Sequence, residues 1–152
     1  MAQEHHYQVT VRWTGNRGKG TSSYTAYDRN GELLADGKAT VALSADPAFL
    51  GDDSRWNPEE LLLASASACH KLWYLHLCAV AGIIVEAYED AAEGTMQEGT
   101  RGRFTQITLK PHITLRNPAD ADRASALHHQ AHEACFIANS LNFPVDCEPT
   151  FA

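Results

Sequence analysis

The stretch from Asn57 to Gly82 constrains this chain more than any other. Asn57-Pro58-Glu59-Glu60 opens it. Asn57 fits an N-cap, and Pro58 fits the first helical turn, where a missing N–H is no loss. Glu59 and Glu60 suit the positive end of the helix dipole, and Glu60 is placed to close a capping box. The pattern predicts a helix to about Ala81 that stops at Gly82. It is apolar on nearly every side, which a surface helix is not. Something must cover all its faces, either two sheets or a partner chain. From Leu61 to Ile84 the length approaches a bilayer span. Ser65, Ser67, His70, Lys71 and His76 would be costly at mid-bilayer, so we read a buried helix of a soluble protein with no membrane partner.

Strand patterns surround this helix. Tyr7 to Trp13 alternates, Asn16-Arg17-Gly18-Lys19-Gly20 is a turn, and Thr21 to Asp28 reads as a second strand. Asn30-Gly31 is a further turn, and Glu32 to Leu34 continues the second strand beyond it. Lys38 to Leu43 reads as a third strand, and Ala45 to Arg55 as a loop. After the helix, Ile83 to Ala91 and Gly102 to Leu115 read as strands joined by a polar turn around Gly94 to Gly99. Asn117-Pro118 opens a second helix, Ala119 to about Ala134, with a short helical piece from Phe136 to Leu141. Val145 to Phe151 is the last strand. Strands, helix, strands, helix, strand in one 152-residue chain imply a single α+β domain.

Charge and cysteine usage narrow the function. The formal net charge is −7. That argues against nucleic acid as a partner, because phosphate binding needs a basic face. Met1 to Thr10 is polar and lacks the apolar run of a secretory leader, so we expect a cytoplasmic protein. Its four cysteines are then reduced thiols, ligands or redox centres rather than a disulfide framework.

Cys69 lies mid-helix after Ala66-Ser67-Ala68, small residues that leave room for a substrate. Cys78 is nine residues further on. Nine steps of about 100° put it on the opposite face, about 13 Å up the axis, so the two cannot bridge. Cys78 reads as a buried apolar thiol. Cys135 ends the second helix, a good place for a mobile partner thiol. Cys147 stands between Asp146 and Glu148, whose charges oppose thiolate formation. Burial in a core is as ordinary a fate for Cys69 and Cys135 as chemistry, and spacing alone does not pair them.

Two runs carry a family resemblance. Asn57-Pro58-Glu59-Glu60-Leu61-Leu62, followed by Ala66-Ser67-Ala68-Cys69, resembles the central helix of the OsmC/Ohr family of thiol peroxidases. Ala131-His132-Glu133-Ala134-Cys135-Phe136-Ile137-Ala138-Asn139-Ser140 resembles that family's second cysteine motif. Trp13-Thr14-Gly15 and Arg17-Gly18-Lys19-Gly20-Thr21 resemble the first turn of its OsmC branch. The resemblance covers nearly the whole chain in the same order. It implies that Cys69 is the peroxidatic thiolate, Cys135 the resolving thiol, and Glu59 and Arg17 the active-site glutamate and arginine. It implies an intertwined α+β homodimer, with antiparallel sheets wrapped around long central helices and two active sites at the interface. The substrate it implies is an organic hydroperoxide. The reductant is a dithiol, such as a lipoyl-protein, and no cofactor is needed. His70 stands where the family often has an aromatic residue. Cys135-Phe136-Ile137-Ala138-Asn139-Ser140 replaces the Cys-Pro-Val-Ser of many members. Both departures bear on substrate and reductant preference.

The implied chemistry follows physically. An unperturbed cysteine titrates near pH ~8.5, so only a few per cent is thiolate at neutral pH. A nearby arginine favours the anion, and Arg17 can also hold peroxide oxygens with its fork. Glu59 can orient Arg17 through a bidentate pair. Glu59 and Cys69 are about 15 Å apart along one helix, beyond the reach of a side chain. If Glu59 serves the Cys69 site, it comes from a partner subunit with the two central helices antiparallel.

Two other readings stay open. His128, His132 and Cys135 lie on one face of the second helix with ligand types suited to zinc or another transition metal, and His70 could complete the set. The simpler view leaves His128 and His129 solvated and His132 beside the thiols. A non-catalytic dimeric module binding a ligand beneath Cys69 is the third.

Overall fold

Asn57 caps the long helix as its sequence predicts. Its Oδ1 accepts the Glu60 N–H at 2.8 Å, and the Glu60 carboxylate accepts the Asn57 N–H at 3.4 Å. This is the reciprocal capping box. In this computed structural model, which describes residues 1–152, helix α1 runs Pro58–Val80. Its end is equally local in origin. Gly82 takes φ 72°, the Gly82 N–H bonds to Ala79 O, and the Ile83 N–H bonds to Cys78 O at 2.9 Å. That is a Schellman stop, which needs the left-handed backbone glycine supplies. No helix is long and apolar enough to cross a membrane.

The chain forms two compact units, residues 1–61 and 62–152. The first holds an antiparallel sheet of β1 (Thr10–Trp13), β2 (Gly31–Leu34) and β3 (Val41–Leu43), in that order. Gly31 lies so close to β1 that a Cβ there would sit 2.7 Å from the Arg12 carbonyl oxygen. The strand expected at Thr21 to Asp28 is instead a series of turns. Side chains hold it. Asn16 Oδ1 accepts the Gly18 and Gly20 N–H groups, both at 2.9 Å, and Trp13 Nε1 donates to Asp28 O at 2.8 Å. The Arg29 guanidinium lies over Tyr24 and Tyr27, 4.5 and 4.1 Å from their ring centroids. These local partners replace a ladder that Thr-Ser-Ser and the aromatic spacing only mimic.

The second unit carries β4 (Val85–Asp90), β5 (Glu93–Gln97), β6 (Arg103–Leu109), β7 (Pro111–Leu115), β8 (Val145–Cys147) and β9 (Thr150–Phe151). They form two three-stranded sheets, β4-β7-β9 and β5-β6-β8. The α+β class holds, but these sheets are mixed rather than antiparallel. β9 pairs parallel to β7 and β8 parallel to β6. The expected polar turn at Gly94 to Gly99 is largely β5, which is exposed throughout and so shows no alternation. The single strand expected from Gly102 to Leu115 breaks at Lys110, before Pro111. The one expected from Val145 to Phe151 breaks at Glu148-Pro149.

Asn117 caps a 3-10 turn, Pro118–Asp120, that leads into α2 (Ala121–Ala134), and α3 (Phe136–Asn139) follows. Tyr74, Cys78, Ile83, Ile113, Leu115, Ala124 and Ala131 form one core cluster; Ala66, Ile107, Leu109 and Val145 form another. On α1 only Ala66, His70, Tyr74 and Cys78, four apart, are buried. Leu72 and Val80 are 64% and 74% exposed. The cover expected on every face of this helix is therefore met on one stripe within the chain.

Candidate thiol site

Burial sorts the four cysteines. Cys78 is buried in the core as its helical position predicts, and burial raises its thiol above the ordinary range. Cys69 is half-buried and Cys135 fully buried. The two thiols are neighbours, close enough for Cys69 to act on the charge of Cys135. α1 presents Cys69 one residue before the buried stripe position His70. Cys135 stands where α2 ends, its backbone extended at φ −68°, ψ 108° between α2 and α3. There its Sγ accepts the Ala138 N–H at 3.4 Å. Burial above all pushes the Cys135 thiol up to about 11; the Ala138 N–H opposes the rise, and the neighbouring Cys69 thiol adds to it. The pair thus joins a half-buried thiol to a buried one that stays protonated at neutral pH. Trp73 and Phe136 meet edge-on nearby at 5.6 Å, with Phe136 70% exposed.

Arg17 and Glu59 belong to the first unit. Arg17 donates to the Thr25 carbonyl and lies 3.6 Å from the Asp28 carboxylate. Its ion-pair partner within the chain is therefore Asp28, and the bidentate pair with Glu59 is not formed there. Glu59 sits half-buried in the first turn of α1.

A second cluster in the 62–152 unit keeps His70 and His128 of the expected metal set and adds a cysteine that the set did not include. His70 Nε2 lies 2.9 Å from His128 Nδ1. Cys147 Sγ lies 3.8 Å from the first and 3.6 Å from the second. The expected set of His128, His132 and Cys135 is not the one assembled. Ala124, His128, Ala131 and Cys135 make the buried stripe of α2, and His132 falls one step off it into solvent. The third member is Cys147, brought by the parallel pairing of Leu109 with Cys147. Burial keeps both imidazoles neutral, each lowered to about 4. Cys147 is pushed up to about 12 by burial, then by Asp90 and Glu148. Its reluctance to ionise was expected from flanking charges. Burial is the larger cause, and Asp146 is turned to Gln106 Nε2 at 2.9 Å.

Residues 51–150, well over half of the chain, match the family described as OsmC-like protein. An OsmC-like protein of unknown function from Vibrio cholerae O1 biovar eltor is 28% identical, with TM-score 0.86 over 97% of this chain and 100% of that one. The uncharacterized protein YmaD of Bacillus subtilis is 24% identical over 95% of this chain and 92% of its own length. An organic hydroperoxide resistance protein OsmC from Legionella pneumophila shares the fold, with TM-score 0.65 at 22% identity over 98% of this chain and 99% of that one. Sequence motifs, family match and fold agree that this chain belongs to the OsmC-like protein family, the OsmC/Ohr family that its two cysteine runs resemble.

Proposed function

We propose that this protein is a cysteine-based peroxidase that reduces organic hydroperoxides, with hydrogen peroxide as a secondary substrate. One observation carries the reading: a half-buried Cys69 thiol stands beside a buried Cys135 thiol, near enough to act on its charge. The Cys69 thiolate attacks one peroxide oxygen and the O–O bond breaks. The leaving oxygen takes up a proton as alcohol, and Cys69 becomes a sulfenate. Cys135 condenses with the sulfenic acid, releasing water and forming a Cys69–Cys135 disulfide. A dithiol, a lipoyl-protein among the candidates, restores both thiols by exchange. The exposed aromatic edge at Phe136 suits an apolar leaving group, and the name borne by the Legionella relative points the same way.

A homodimer completes the reading. Leu72 and Val80 leave an apolar face of α1 uncovered, which a second copy would bury. In that assembly Arg17 and Glu59 of the partner subunit would serve Cys69, Arg17 favouring its thiolate and Glu59 orienting Arg17. The cytoplasm, where dithiols are kept reduced, is the setting the cycle needs.

The test is steady-state consumption of an organic hydroperoxide beside hydrogen peroxide, with dihydrolipoamide as electron donor. Without the donor, peroxide should remove about two thiols per chain. Turnover that is unchanged in Cys69→Ser overturns the proposal.

A further inference from the structure

The His70–His128–Cys147 cluster lies outside the peroxide cycle. We propose that it is a buried binding site for one zinc-class divalent transition-metal ion, tying α1, α2 and β8 together beside the thiol pair.

The geometry is close to what such an ion requires. Zinc bonds of about 2.0–2.1 Å to nitrogen and about 2.3 Å to sulfur at tetrahedral angles place two nitrogens about 3.3 Å apart, and nitrogen and sulfur about 3.6 Å apart. The N–S separations here are 3.6 and 3.8 Å, and the N–N separation is 2.9 Å. The sulfur already stands at coordinating distance from both nitrogens. Only the imidazoles must part by a few tenths of an ångström. Their rings are parallel within 3° with centroids 5.2 Å apart, so the two nitrogens face each other edge-on. Both cannot carry hydrogen, so one lone pair already points into the cluster. Cys147 lies to one side of the N–N line, and each ring reaches the ion by a small turn toward it.

The surroundings are independent support. His128 Nε2 and Tyr88 Oη are buried without a hydrogen-bond partner, and Tyr74 Oη has no nitrogen or oxygen partner, only the weakly interacting Cys78 thiol nearby. Both tyrosines are near enough to Cys147 for its charge to bear on theirs. Buried polar groups ordinarily find partners. A coordinated thiolate and an ion-bound water in the fourth position are the partners those two hydroxyls lack. Tyr74 also stacks on His128 at 3.9 Å, which holds that ring in place. The Asp90 carboxylate is already engaged, accepting the Ser67 hydroxyl at 2.5 Å and the Lys110 N–H at 2.7 Å. It therefore acts as a neighbouring charge rather than a ligand. Two imidazoles and a thiolate select zinc or cobalt(II) over magnesium or calcium, which take oxygen ligands.

Cobalt(II) alone is the probe, added to chelator-stripped protein in which His5→Gln and His6→Gln remove the exposed N-terminal pair. The expected result is about one ion per chain, with tetrahedral visible absorption and a thiolate-to-cobalt charge-transfer band. Zinc should displace it and magnesium should not. The band should persist when Cys69→Ser and Cys135→Ser are combined and disappear in Cys147→Ser. No charge-transfer band in the parent protein overturns the site, as does a band that survives Cys147→Ser. Should Cys147→Ser fail to fold, the Cys69→Ser, Cys135→Ser, His132→Gln protein decides. A retained band supports the site, and a lost one refutes it.

Discussion

Cys69 and His70 are neighbours on α1, and a turn of about 100° sends them into different chemistry. Cys69 emerges beside the buried stripe and reaches solvent, with the protonated Cys135 behind it. His70 lies on the stripe and meets the buried His128 beside Cys147. Both sites contain a half-buried cysteine. The difference is the company it keeps. Cys69 has a second thiol beside it, with which a sulfenate can condense. Cys147 has two neutral imidazoles within 3.8 Å and is suited to hold an ion. Neither residue type nor exposure separates Cys69 from Cys147; their neighbours do.

Substitution at the open site should give the largest effect. Cys69→Ser should lower peroxide turnover by on the order of 10³-fold or more, because no other group forms the sulfenate. Cys78→Ala should stay within about two-fold of the parent. Equal losses in both, measured by peroxide consumption, would erase the contrast between the two kinds of cysteine. Next comes the His70–His128–Cys147 cluster. Tyr74 is fully buried and stacks on His128. Tyr74→Ala should cost about 3–5 kcal/mol in urea unfolding, by cavity formation and loss of the stack. Cys69→Ala should cost far less.

Acid titration separates the sites further. Burial lowers His70 and His128 to about 4 in the folded chain, below the ordinary 6.5. Between these values the unfolded chain binds more protons, so stability is complete above pH ~6.5 and falls toward pH ~4. In chelator-treated protein the slope should approach two protons per chain from this cluster. Cys135 and Cys147 act on the other side. Their folded values of about 11 and about 12 lie above the unfolded value of 9.0, so their contribution is full below that value and is lost as pH rises through the folded ones. A stability profile from pH 4 to 7 that is flat would break the assignment of the acid limb to the histidines. The smallest effect is at Tyr88. Its hydroxyl is buried and unpartnered, so in chelator-treated protein Tyr88→Phe should leave unfolding stability within about 1 kcal/mol, or raise it.

The ends of α1 were legible in the residues themselves. Asn57, Glu60 and Gly82 act through bonds to neighbours three to five positions away, and such bonds need no tertiary partner. The family motifs around Cys69 and Cys135 were legible for a similar reason: each is a short contiguous run. Thr21 to Asp28 was misread because its turns are held by Asn16, Trp13 and Arg29 rather than by the alternation of its own residues. β5 was missed because an exposed strand carries no two-residue pattern.

By itself the sequence determined the long capped helix, the α+β class, the place of Cys78 in the core and the two cysteine motifs. Only the tertiary structure decided that Cys69 and Cys135 are neighbours and that His70 meets His128, 58 positions away. It also chose Cys147 over His132 and Cys135 as the third member of that cluster. The reason is physical. Helical phase is set by local geometry, but the register of a parallel strand is set by what it packs against, and one step in that register turns a side chain from solvent to core.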